Sequence, residues 1–269
     1  LGILALDQLY RNGEWQRALP MTPDDWTWWT VIFGMPHIVA SLLTVSDKEY
    51  LAHYKHRLLV PLLAFSAVCV GFPAMGGAGV LSLVIALYTI YHLIAQQFGI
   101  SGMLLKRRPD HAMTALRWLS IVASVLMYAL SYSSQLFVDS AFAGISATQW
   151  LNVAIALTLS GVIVLGIQVS RSVTASDTGH GQWHLWLNIV MLLACFACAS
   201  FEYAALLIIV PRVVHDLSAF AVYSIHDHNR QVARPEKAVY RLFAFTRLPV
   251  FVLCPILSVL IAAVAFQHK

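Results

Sequence analysis

From Trp183 to Ser224 the chain carries only three charged residues, Glu202, Arg212 and Asp216. A helix needs about 20 apolar residues to cross the hydrocarbon core of a bilayer, so this run is too long for one crossing and too apolar to lie against water. It is expected to fold as two spans with a break near Ser200 to Glu202. The same polarity holds along the chain: 59% of the residues are hydrophobic, 11% are charged and the mean hydropathy is +0.72, where soluble domains carry about a quarter charged residues. The expected fold is all-α, a polytopic integral membrane helix bundle of seven or eight transmembrane helices. With 269 residues such a bundle fills the chain, so residues 1–25 read as an N-terminal lead-in at the membrane interface and 26–269 as a single transmembrane domain.

Segment by segment, the spans are expected at about 26–45, 58–75, 80–100, 112–138 and 149–170, then the two within the long run, then a last one ending near Phe266. Trp26, Trp28 and Trp29 suit the interface ahead of the first span. The segment 46–57 (SDKEYLAHYKHR) reads as a charged loop, GFPAMGGAG as a turn, and 226–247 as a basic, partly amphipathic connector. Short cytoplasmic loops are enriched in Lys and Arg. Here such residues follow spans one, three, five and seven (Lys48, Lys55 and Arg57; Lys106, Arg107 and Arg108; Arg171; Arg230, Arg234, Lys237, Arg241 and Arg247), whereas the loops after spans two, four and six have none. Eight spans with both termini outside the cytoplasm fit that alternation, and a bacterial cytoplasmic membrane is the expected location. The chain begins at Leu1 rather than Met, which leaves room upstream for an initiator, a leader or a further helix.

A net charge of +4 is too small to point to nucleic acid, and topology accounts for the basic residues. Cys69, Cys195, Cys198 and Cys254 all lie in apolar runs, so packing explains them better than a disulfide framework or a zinc ribbon.

Polar groups inside the spans carry the functional reading. An Arg or Asp near the centre of a membrane helix costs about 2.5–3.5 kcal/mol on insertion scales, and the seventh span carries Arg212, His215 and Asp216 together. Two further histidines lie at similar depth. His37 sits within a small, polar stripe of Thr30, Gly34, Ser41 and Thr44; His92 shares a face with Ser82, Thr89, Gln96 and Gly99. Imidazoles converging from separate helices make a dry metal site open to a lipid-soluble substrate. His37, His92 and His215 are therefore candidate ligands, against the plainer reading in which each hydrogen-bonds a neighbouring hydroxyl or carbonyl. Arg212 and Asp216, four residues apart, form either a self-neutralising pair or a catalytic pair in which Asp216 ligates the metal or orients an imidazole and Arg212 balances charge. His226 and His228 are further candidate metal ligands. His226 lies three turns from His215, roughly 16 Å along a helix, so the two share one metal only if the helix breaks between them. With Asp227 they form a second site, an entrance, or simply a polar helix end.

Gly34-Met35-Pro36-His37, followed later by YHLIAQQFG (91–99) and VVHDLSAF (213–220), resembles in order and spacing the Brp/Blh family of membrane β-carotene 15,15′-dioxygenases. That family has G-x-P-H early, a His before Phe-Gly in a later helix, and histidines spaced by four in a late helix. In this chain Ile38 follows the first His where the family has Gly, Ser41 takes the place of an acidic residue, and Ala219 stands where a second late His would fall. The resemblance implies non-haem iron (Fe2+) held by His37, His92 and His215, with O2 and an apolar, carotenoid-like substrate entering from the lipid. Aromatic walls would come from Tyr88, Tyr91, Phe220 and Tyr223.

Two other function classes remain open from the residues. HYKH at 53–56, HGQWH at 180–184 and HDH at 226–228 loosely match the histidine boxes of di-iron desaturases and hydroxylases, though with other spacings. A non-catalytic subunit of a larger membrane complex, packing against protein partners and holding a haem between two histidines, is the alternative outside enzymology. A transporter ranks last, since no corresponding Gly/Pro-interrupted helices mark an inverted repeat.

Overall fold

The structure is a computed structural model that describes residues 2–20, 29, 32, 34–74, 77–106, 108, 110–132, 141–142, 145–173, 179–231 and 237–266. Its helices are α1 (Gly2–Tyr10), α2 (Glu14–Ala18), α3 (Pro36–Val45), α4 (Lys48–Ala74), α5 (Ala78–Leu104), α6 (His111–Tyr132), α7 (Ala147–Arg171), α8 (Gly179–Ser200), α9 (Ala204–Gln231), α10 (Ala238–Leu242) and α11 (Val250–Phe266). Two-residue strands β1 (Ala141–Phe142) and β2 (Ile145–Ser146) pair antiparallel ahead of α7. The chain is thus an all-α polytopic membrane bundle. Helices α5 to α9 are long and apolar enough to cross a bilayer, and α3 and α11 are shorter apolar helices. Each segment expected to span carries a helix among the described residues.

The long apolar run does break where its length required. Helix α8 ends at Ser200, and the Tyr203 amide donates to the Cys198 carbonyl (2.8 Å) while the Glu202 amide donates to that of Ala199 (3.3 Å). Glu202 stands between them at φ +62°, which makes this a Schellman stop with an acidic residue in the position usually held by glycine. Two expected loops fare differently. The charged segment 46–57 is helical from Lys48 onward and forms the first turns of α4: Glu49 in the first turn suits the positive helix end, and no glycine or proline interrupts it. The connector expected from 226 begins only after Gln231, because HDHNR continues α9.

The chain divides into two compact units, each built from two separate stretches. The first comprises Leu1–Asp25 and Ala86–Arg212, the second Trp26–Ile85 and Val213–Lys269. In the first, α6, α7 and α8 pack against one another. Among its buried positions each helix has a row that alternates steps of three and four: Met113, Leu116, Ser120, Ala123, Met127 and Leu130 on α6; Ile155, Leu159, Val162, Gly166 and Val169 on α7; Gly181, Leu185, Asn188, Leu192, Cys195 and Ala199 on α8. A seven-residue repeat of this kind keeps one seam facing its neighbours when helices cross at a shallow angle. The lead-in belongs to this unit. Asp7 is fully buried, accepts from the Trp15 and Gln16 amides at the start of α2, and receives the Tyr203 hydroxyl.

In the second unit α3 packs against α11. Its core is Ala40, Tyr240, Val250, Leu253, Cys254 and Leu257, with Phe220, Tyr223, Val239 and Phe243 packed around it.

A candidate metal centre in the second unit

Proline fixes where the first candidate ligand stands. Pro36 occupies the first turn of α3, where its missing amide hydrogen costs nothing and its fixed φ favours a helix start. His37 follows immediately, on the first turn and partly buried. The other candidate ligands come from α9, whose adjacent His215 and Asp216 are buried at 3% and 0% exposure.

The His37 Nδ1 lies 3.1 Å from the Asp216 Oδ1, and the His215 Nε2 lies 4.0 Å from the same oxygen. The two imidazoles meet edge to face, with ring centres 5.3 Å apart. Among the described residues this is the one group of three or more His, Cys, Asp or Glu side chains whose donor atoms all lie within 4.8 Å of one another. Donors each about 2.1 Å from a single ion stand about 3 Å apart when adjacent and about 4.2 Å apart when opposite. The 3.1 and 4.0 Å separations fall in that range, so two imidazoles and a carboxylate suit a divalent transition metal. Arg212 is half-buried on α9, one turn before Asp216.

What holds α3 beside α9 is a second buried polar network further along both helices. Lys237 donates to both Asp227 oxygens at 2.9 Å and to the Leu43 carbonyl at 2.7 Å, and the Tyr240 hydroxyl donates to Asp227 Oδ2. The lysine thereby caps the carbonyl end of α3 with a cation and ties it to α9 and α10. Burial, then the Asp227 carboxylate, push the Tyr240 hydroxyl well above its ordinary pKa. At the rim Arg230 pairs with Asp47 (3.2 Å) and Glu49 (2.7 Å).

The remaining sequence candidates have surroundings of their own. His92 is exposed on α5, in the first unit, where it stacks on Tyr88 with centres 6.2 Å apart. His226 packs edge-on against Tyr50 at 5.3 Å, and His228 is half-buried on the same helix. Because α9 is unbroken from Ala204 to Gln231, His215 and His226 cannot share an ion. Asp227, between those two histidines, faces Lys237 instead. Of the expected aromatic walls, Phe220 and Tyr223 pack on the α3–α11 core, while Tyr88 and Tyr91 are exposed on α5. The histidine boxes are divided: HYKH and HDH belong to the second unit and HGQWH to the first.

Sequence reasoning passed over a polar cluster in the first unit. Ser101 Oγ lies 2.8 Å from His184 Nδ1, and Asn188 Nδ2 donates to Ser101 Oγ at 3.2 Å and to the His184 carbonyl at 3.0 Å. Its signal was available as Gln97 and Ser101 on one helix and His184 and Asn188 on another, each pair four residues apart and so on one face.

Comparison with protein-family models, with curated proteins and with solved structures finds no match to this chain.

Proposed function

We propose that the protein is a membrane-embedded non-haem iron oxygenase whose metal is held by His37, His215 and Asp216. The observation that carries this reading is the donor set: two imidazoles and one carboxylate, gathered within 4.8 Å and buried in an apolar unit. Two histidines and one carboxylate on one face of an ion, leaving other positions open, is the ligand pattern of Fe(II) oxygenases. The similarity of GMPH, YHLIAQQFG and VVHDLSAF to the Brp/Blh dioxygenases supports it and indicates an apolar, carotenoid-like substrate, reached from the lipid of a bacterial cytoplasmic membrane.

Bound Fe(II) would supply the activation of O2. The chain's own residues do the rest. Asp216 brings the one negative charge of the triad, and its short approach to His37 Nδ1 fixes the orientation of that ring. A bound cation would require both groups in their deprotonated forms, so ion uptake would release any proton held there. Arg212, on the same helix, offsets charge near the carboxylate, and the surrounding apolar side chains keep water from a reactive centre.

The test is metal analysis with an optical spectrum on detergent-purified protein. Wild type is expected to hold about one iron per chain, as in other sites of this ligand set, and to show no Soret band. His37→Ala, His215→Ala and Asp216→Asn should each lose that iron, while His92→Ala keeps it. Iron that survives all three changes, or a protein that takes up none, overturns the proposal; a Soret band would identify a haem protein instead.

A further inference from the structure

The first unit contains a groove of about 190 Å³ between the last turns of α5 and the first turns of α6, lined by Phe98, Gly99, Gly102, Met103, Met113, Thr114 and Arg117. Arg117 is the unusual member. It lies six residues into a membrane helix, about 9 Å from its start, where a guanidinium is costly unless something answers its charge. Its Nε is buried and makes no hydrogen bond among the described residues, and its guanidinium carbon stands 6.0 Å from the Trp118 ring.

The surroundings define what could answer it. The loop that joins the two helices adds Lys106 and Arg108, both exposed. The one described carboxylate of that loop, Asp110, is engaged in accepting from the Met113 amide at 2.9 Å. Thr114, one turn before Arg117, brings a hydroxyl. The rest of the lining is apolar; Met103 within it is exposed, as are Trp118 and Tyr91 on the same two helices, with Tyr91 and Trp118 in ring contact at 5.9 Å. A Cβ built on Gly99 meets nothing within 4 Å, so the floor there is open.

We infer that this groove binds an anionic phospholipid. The phosphodiester would face Arg117 and Thr114, with the basic loop at its outer edge, and an acyl chain would run along Gly99 towards Tyr91 and Trp118. The depth of Arg117 suits a lipid phosphate, basic recesses between membrane helices favour anionic headgroups, and a free anion would have no use for the apolar floor. The site lies in the first unit and does not depend on the metal reading.

The experiment uses delipidated full-length protein in detergent. Lipid retention is read by native mass spectrometry, and the thermal midpoint is followed on adding phosphatidylglycerol, diacylglycerol or inorganic phosphate. Phosphatidylglycerol should be retained and raise the midpoint; diacylglycerol and phosphate at equal concentration should not. Arg117→Gln should weaken retention about fivefold, the scale of one basic residue at a membrane surface. Gly99→Leu adds bulk to the groove at a position where a Cβ meets nothing within 4 Å, and should lower retention as much, so it decides the matter even if Arg117→Gln folds poorly. Wild-type retention in both variants overturns the inference. So does an equal effect from diacylglycerol, which would remove the headgroup from the argument, or from phosphate, which would make this a site for free anions.

Discussion

Asp216 and Gly181 show how one residue can decide a larger arrangement. Replacing the Asp216 carboxylate by the isosteric amide keeps its shape and removes its charge, which is why Asp216→Asn separates the proposed metal role from packing. Gly181 acts through space alone. A Cβ built there would stand 2.6 Å from the Leu105 amide nitrogen and 2.7 Å from the Leu104 carbonyl carbon, and backbone cannot move aside as a side-chain end can. Gly181→Ala should therefore destabilise the first unit by about 2 kcal/mol or more, within the range for overpacking at a closed site, seen as a lowered thermal midpoint. Such contacts are invisible in a sequence. The presence of Arg212, His215 and Asp216 in an apolar run is legible at once, because each is costly there. Their partner is not: His37 and His92 both sit among small polar residues at similar depth, and nothing in the spacing says that one turns towards α9 while the other is exposed.

Two elements owe their placement to a buried carboxylate. Lys237 is 8% exposed and Asp227 fully buried, so Lys237→Met leaves an uncompensated charge in the α3–α9–α10 network. A loss of about 3–5 kcal/mol is expected, measured by thermal or denaturant unfolding in detergent, and a Lys237→Met/Asp227→Asn double variant should recover part of it. The second case is the lead-in. Burial acts to raise the Asp7 carboxyl, but the Tyr203 hydroxyl, the Trp15 and Gln16 amides and the nearby Arg11 outweigh it and hold the group below its ordinary value of 3.8. A depressed carboxylate stabilises the fold above its unfolded pKa and loses that contribution as the pH falls through the lower, folded value. Limited proteolysis of residues 2–20 should thus be slow at pH 6 and accelerate below about pH 4, and Asp7→Asn should be cut readily at both. If pH leaves the wild-type cleavage rate unchanged, the carboxylate does not hold the segment. Neither network was legible. HDHNR has the composition of a polar helix end, and the lysine that answers Asp227 lies ten residues on, past the end of α9. The Glu202 stop was placed by run length alone, since glutamate is not a residue that normally ends a helix.

For the whole molecule, the class follows from the sequence because membrane helices leave a signal in composition that tertiary context does not erase. The division into units leaves none. Each unit joins two stretches that are far apart in the chain, and hydropathy reports which segments are helical spans but not which of them share a core. Helix α9 belongs to both, since the boundary falls after Arg212, one residue past Pro211, whose ring removes a helical hydrogen bond. That layout sets an order on biosynthesis. When α3 leaves the ribosome and enters the membrane, the carboxylate that His37 will meet has not yet been translated, and most of the chain must be made before α9 follows. The triad proposed to hold a metal is therefore assembled late, and a nascent chain stalled before Val213 would carry the first unit's residues but neither His215 nor Asp216.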